Sequence, residues 1–273
     1  MAARLATTAY ALFAYLAFLV SVVWAISFLA DALFARTVDT GPSSSWSAAA
    51  AIDLGLLTLF AMQHSVMARA FCKRWLTRLV PASAMRSAYV LLASGILIAI
   101  FWFWQPITSS VWEVQASVGR VLIFTVYAAG WALVIGSTFM IDHFELFGLR
   151  QAYAAVTRQD MTSAPFKAAW GYAWVRHPMM LGLIIVFWAT PHMSAGHLLF
   201  AVAATAYILL GIAFEERDLR TNLGAPYREY AQRVPALIPR AWRSFGRADL
   251  VGRAVAEPVA HDPALPSVIN LEV

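Results

Sequence analysis

The sequence predicts an all-α, multi-pass transmembrane bundle of five to six membrane segments that closes with a C-terminal helical hairpin. Three observations predict it. The chain of 273 residues is 61% hydrophobic and only 13% charged, its mean hydropathy is +0.66, and its apolar residues gather in long runs separated by short polar loops. A soluble domain is about 45 to 50% apolar and about 25% charged, so this chain has too few polar residues for an ordinary water-facing surface. The 17 Phe, 11 Trp and 9 Tyr exclude a disordered composition, and the single cysteine, Cys72, excludes an intramolecular disulfide. The net charge of +5 falls in short segments between apolar runs. That pattern marks membrane topology and not a nucleic-acid surface.

A bilayer core about 30 Å thick needs roughly 20 apolar residues per helix. Thr7 to Ala30 supplies the first, with only Arg4 before it; the run outlasts the apolar core of a secretory signal, about 7 to 15 residues, and reads as a retained helix. Ala48 to Met67 supplies the second, and it carries Asp53 and His64 about three turns apart, on one face with Leu57 and Phe60. Ionisable residues inside a membrane segment are costly and are functional candidates by default. Ser87 to Trp104 and Val118 to Phe139 supply the third and fourth. Asp142-His143-Phe144-Glu145-Leu146-Phe147-Gly148-Leu149-Arg150-Gln151 follows, alternating charged and large apolar residues, as expected of a segment lying in the interface with its polar side toward a pocket.

Met179 to Ala189 and Leu198 to Phe214 then flank a turn, Thr190 to His197. The first run is about half a span, so the pair forms a hairpin, and full and partial crossing both stay open. His192 and His197 in the turn are expected at the interface. Basic residues cluster at Arg69 to Arg86, at Arg150 to Arg176 and after Arg217, which sets both termini and both basic loops in the cytoplasm. One domain spans residues 1–243, with its core at about 150–240, and residues 244–273 form a weakly ordered tail.

The densest chemistry lies in Tyr172-Ala173-Trp174-Val175-Arg176-His177-Pro178-Met179-Met180 and in Phe214-Glu215-Glu216-Arg217-Asp218-Leu219, followed by Gly224, Tyr227, Tyr230, Val234-Pro235 and Ile238-Pro239. Pro178 suits a first helical turn, which sets Arg176 and His177 at the hairpin entrance and the glutamates at its exit. Carboxylates beside cationic and aromatic groups suit the ribose or amino group of a cofactor, and aromatics suit a cationic centre. The competing reading pairs Glu215 and Glu216 with Arg217 and Arg220 at a helix end. A zinc site of His64, Asp142 and His143 lacks any paired ligand spacing, and no metal is expected.

The pattern YxWxRHPxM, an apolar hairpin, then EExxL, GxxYxxY and VPxxIP resembles the isoprenylcysteine carboxyl methyltransferase superfamily of membrane enzymes, over roughly Tyr153 to Arg240. Met62 to Arg69, Asp142 to Gln151, His177 to Gly182 and Phe187 to Pro191 extend the resemblance to its nurim-related branch. The resemblance implies an S-adenosylmethionine-dependent enzyme that methylates a small volatile thiol, methanethiol, to dimethyl sulfide in a bacterial inner membrane, with its cofactor site facing the cytoplasm. It implies cofactor contacts from Tyr172, Arg176, His177, Pro178, Met179, Met180, Glu215 and Glu216. Two departures are visible: Met180 stands where the prenyl enzymes end RHPxY in tyrosine, and Gly211 stands where they carry a substrate-contacting arginine. Removal of the thiol proton falls to His64 or His143, with Asp142 or Glu145 to orient a histidine and Arg150 or Arg176 to favour the thiolate. The alternatives are a methyltransferase for a larger lipid or prenyl thiol, an NADPH-dependent membrane reductase and a non-catalytic nurim-like scaffold.

Overall fold

The computed structural model describes residues 2–157 and 170–239; the tail at 244–273 lies outside the described residues. Five helices are long and apolar enough to cross a membrane: α1 (Ala2–Leu29), α2 (Trp46–Ala68), α4 (Ala82–Phe103), α5 (Ser117–Ile141) and α9 (Ala195–Asn222). Between them lie the short helices α3 (Ala70–Leu76), α6 (His143–Leu146), α7 (Leu149–Thr157) and α8 (Pro178–Trp188), and α10 (Ala225–Arg233) follows. The four long spans expected from the apolar runs are present, each extended by a few residues. The chain is an integral membrane protein.

Local sequence sets the ends. α4 stops at Phe103 two residues before Gln105-Pro106, because the residue before proline is pushed out of the helical region. α8 opens at Pro178, whose missing N–H costs nothing in a first turn. Gly224 takes φ +63 immediately before α10, a left-handed turn that favours glycine.

The described residues divide into two compact units. One comprises residues 2–157 and 179–209, the other 170–178 and 210–239. In the first, α1 packs on α4 and α7, and α2 packs on α4. Its aromatic core is built on Phe28, whose ring lies 4.8 Å from Phe101, 5.6 Å from Trp104 and 5.9 Å from Phe200. The Trp104 indole N–H, deep in that core, donates to the Val38 carbonyl at 3.1 Å. Lipid is as apolar as leucine, so these rings gain dispersion contact rather than release of water. Asp53 is fully buried, and its Oδ1 accepts the backbone N–H of Gln105 at 2.9 Å, which ties α2 to the end of α4.

A two-stranded ribbon was not foreseen. β1 (Ser110–Glu113) pairs antiparallel with β2 (His192–Ser194), Trp112 opposite Met193 and Glu113 opposite His192. It fixes where the hairpin turn lies. α8 has 11 residues, about 16 Å of helix, roughly half the bilayer core. The ribbon nevertheless brings the chain after α8 to the β1 end, from which α5 departs. The turn between α8 and α9 therefore lies at the same end as the loop between α4 and α5. A second correction concerns His197, expected at the interface: it is almost fully buried, with Nε2 donating to the Phe187 carbonyl at 3.0 Å.

Candidate functional site

In the second unit, the expected juxtaposition of the hairpin entrance and exit is present. His177 Nε2 lies 3.0 Å from Glu216 Oε1, and its Nδ1 lies 3.5 Å from Glu215 Oε2. Arg176 Nε donates to Glu216 Oε1 at 2.6 Å, Tyr227 donates its phenolic O–H to the same oxygen at 3.0 Å, and Arg220 reaches Oε2 at 3.0 Å. Glu216 thus has four donors. The competing reading, a pairing with Arg220 at a helix end, is one part of this network and not an alternative to it.

The C-terminal prolines and tyrosines explain their place in the pattern. Pro235 and Ala236 offer carbonyls to the backbone N–H groups of Arg176 and His177 at 2.9 and 3.1 Å. The Arg176 guanidinium also donates to the Ala231 carbonyl at 2.9 Å and to that of Val234. Tyr230 donates to the Tyr172 carbonyl at 2.7 Å. Arg176, which the sequence offered as a thiolate-stabilising cation, is thereby committed to holding this clamp together.

The electrostatics separate the two glutamates. Among the described residues Glu215 meets one charged partner, His177, and its side chain is 13% exposed, whereas Glu216 is saturated. Burial alone would depress the His177 imidazole, but hydrogen bonds and charge from both glutamates outweigh it and raise its pKa to about 9. Burial and the neighbouring Glu216 carboxylate push the Tyr227 phenol up, which keeps it a donor. An acceptor-rich Glu215, backed by an imidazolium and not saturated, has the chemistry to take hydroxyl or ammonium donors of a ligand. Tyr172 is buried on the same clamp.

In the first unit, His143 sits in an aromatic box, stacked on Phe139 at 4.3 Å and met edge-on by Tyr15 and Phe147. Thr138 donates its hydroxyl to the Ile135 carbonyl, so its oxygen, 2.7 Å from His143 Nδ1, is left to accept. The imidazole is therefore the Nδ1–H tautomer, with Nε2 accepting from Tyr15 O–H at 2.8 Å. Burial lowers the His143 pKa, against an opposing pull from Asp142. The block around it closes on itself: Asp142 accepts the Glu145 backbone N–H at 3.0 Å, and Arg150 pairs with Asp142 and, at 3.4 Å, with Glu145. Neither Asp142 nor Glu145 orients His143 as the sequence reading offered; Tyr15 and Thr138 do.

His64 lies apart from His143's box, its ring nitrogens 2.9 Å from the Tyr89 hydroxyl and its ring stacked on Phe60 at 5.2 Å. Beside it Ser65 and Tyr207 share a 3.0 Å hydrogen bond. Met179 and Met180, at the start of α8, are buried and apolar. Sequence reasoning missed Tyr15, Tyr89, Tyr207 and Tyr227 as partners. The available signal was a phenol in or beside an apolar run, where its hydroxyl needs a partner.

Over residues 54–245 the chain matches the family described as NnrU protein. The chain belongs to the NnrU protein family. It is similar to the methanethiol S-methyltransferase of Mycobacterium tuberculosis, 50% identical over 236 residues, covering 86% of this chain and 97% of that protein. The methanethiol S-methyltransferase of a Pseudomonas species is 43% identical, with 89% and 94% of the two chains covered. Nurim of Sus scrofa is a more distant relative, 32% identical over 62% of this chain and 67% of its own. No solved structure matches the chain.

Proposed function

We propose that this protein is a membrane S-methyltransferase that converts methanethiol to dimethyl sulfide with S-adenosylmethionine as donor, in a bacterial inner membrane and with its cofactor residues facing the cytoplasm. One observation carries the reading: half identity to a methanethiol S-methyltransferase along nearly that protein's whole length. The donor set fits the cofactor. Glu215 is a half-buried acceptor with spare capacity, and Tyr172 is an aromatic neighbour suited to a cation. When bound, S-adenosylmethionine supplies a methyl group on a sulfonium. The protein's own part is to hold and dry the site and to take the thiol proton.

Within the clamp, Glu215 takes the cofactor's hydroxyl or ammonium groups, while Glu216, Arg176 and His177 fix its position and Pro178 offers backbone contact. Deprotonation matters because the thiolate is the nucleophile, and even a cysteine thiol has a pKa of about 8.5. Of the two candidate bases we assign the proton to His64, which is half-buried beside the Tyr89 hydroxyl, whereas His143 is enclosed in its aromatic box. Gly211 supplies no cation to anchor a prenylcysteine carboxylate, which favours a small acceptor.

The test is headspace gas chromatography of detergent-solubilised protein given S-adenosylmethionine and methanethiol. Dimethyl sulfide is expected from the wild type, with little from Glu215→Ala at low donor concentration and little from His64→Ala at any. No dimethyl sulfide from a protein that binds S-adenosylmethionine would overturn the acceptor. Wild-type turnover in His64→Ala would overturn the base.

A further inference from the structure

The segment between α2 and α4 has no part in the reading above, and its charge is one-sided. From Leu54 to Trp112 the sequence holds no Asp or Glu, while Arg69, Lys73, Arg74, Arg78 and Arg86 gather around α3. Hydrogen bonds from Thr77 N to Lys73 O and from Val80 N to Leu76 O, at 3.0 and 2.8 Å, continue the coil one turn past α3. The exposed residues Phe71, Arg74, Trp75, Arg78 and Leu79 then follow the i, i+3, i+4, i+7, i+8 spacing of one helical stripe. Its apolar members stand well out of the protein, with Phe71 60%, Trp75 57% and Leu79 68% exposed.

Two spanning helices flank this segment, α2 ending at Ala68 and α4 beginning at Ala82, so it lies where the bilayer meets water. A stripe that interleaves aromatic and aliphatic side chains with arginines suits that boundary: the rings lie at headgroup level, and guanidinium forks pair with phosphate oxygens. A zwitterionic headgroup carries its own ammonium beside the phosphate and offsets this attraction, whereas an anionic one does not. We propose that the α3 stripe is a docking surface for anionic phospholipid headgroups, with Phe71, Trp75 and Leu79 at the acyl boundary and Arg74 and Arg78 on the phosphates. The proposal does not depend on the methyltransferase reading.

Cys72, the single cysteine, lies within α3 at intermediate exposure and takes a nitroxide label without any other substitution. Full-length protein so labelled is reconstituted in phosphatidylcholine vesicles with or without phosphatidylglycerol, and label depth is read as the ratio of oxygen to water-soluble nickel collisions. The ratio is expected to rise several-fold with phosphatidylglycerol, to fall back at high salt as screening sets in, to lose its lipid response in R74Q/R78Q and to keep it in R74K/R78K. Equal ratios in the two lipids, or a lysine variant as unresponsive as the glutamine one, would overturn the proposal. Unlabelled protein gives an independent check by native mass spectrometry from mixed micelles: the wild type should retain several-fold more phosphatidylglycerol than R74Q/R78Q, and equal retention would overturn it as well.

Discussion

Glu215 and Glu216 are adjacent in sequence and differ in circumstance. Glu216 accepts from Arg176, His177, Tyr227 and Arg220, so its removal strands a guanidinium only 9% exposed. Breaking a buried pair on one side costs about 3 to 5 kcal/mol. Glu216→Gln should therefore lower the melting temperature sharply. Glu215→Gln should lower it less, through its single contact with His177, yet raise the S-adenosylmethionine dissociation constant roughly tenfold or more, the worth of a hydrogen bond to a charged group. Melting curves and calorimetric titration in detergent separate the two, and equal melting losses would show the division of roles to be wrong. His177 adds a pH dependence. Its folded pKa, about 9, lies above the ordinary 6.5, so its stabilisation is complete below about pH 6.5 and is lost as pH rises through about 9. Wild-type melting should fall across that window and His177→Gln melting should stay flat; parallel curves would remove the imidazolium from the account. The sequence brought RHP and EE together through the apolar hairpin. It could not say which glutamate is saturated, because the deciding donor, Tyr227, comes from α10.

At the scale of elements, the long spans were legible because hydropathy depends on composition summed over about twenty residues. The ribbon of β1 and β2 was not, since three or four residues give no readable period and pair only through a contact about 80 residues away. Helix contacts were equally silent, although glycines mark one of them. A Cβ on Gly182 in α8 would stand 2.8 Å from the Gly130 carbonyl oxygen of α5, 2.8 Å from the Val134 side chain and 3.0 Å from its backbone nitrogen. Backbone cannot rotate away, so α5 and α8 must part. Gly182→Ala should cost about 1 to 3 kcal/mol, the usual penalty of overpacking. Gly211 in α9 is the contrast: a Cβ there meets nothing within 4 Å. Gly211→Ala should leave stability unchanged or add up to about 1 kcal/mol through helix propensity. Thermal melting of the two variants side by side decides it, and a tolerated Gly182→Ala would mean that the close approach of α5 and α8 is not needed.

For the whole molecule the open quantity is orientation, and the ribbon makes it testable. α4 runs from the basic segment around α3 to β1, and α5 runs back from β1 to the Asp142 block. β2 pairs with β1, so the turn after α8 lies at the β1 end, away from the residues around Cys72. The turn after α8 and the loop between α4 and α5 thus share one side, opposite the α3 segment. The bases decide which side: Arg69, Lys73, Arg74, Arg78 and Arg86 stand at one end of α4, whereas the residues between α4 and α5 include no base before Arg120. Positive residues stay cytoplasmic, so Cys72 should face the cytoplasm and Ser110 the opposite side. A membrane-impermeant maleimide should label native Cys72 in inverted vesicles and not in intact cells. A cysteine placed by Ser110→Cys in a Cys72→Ser background should show the reverse. Both labelled from one side would mean that α4 does not cross, which its 22 apolar-rich residues make hard to reconcile with any bilayer about 30 Å thick. Both reversed would keep the fold and turn the molecule over, setting the α3 stripe and its arginines outside the cytoplasm.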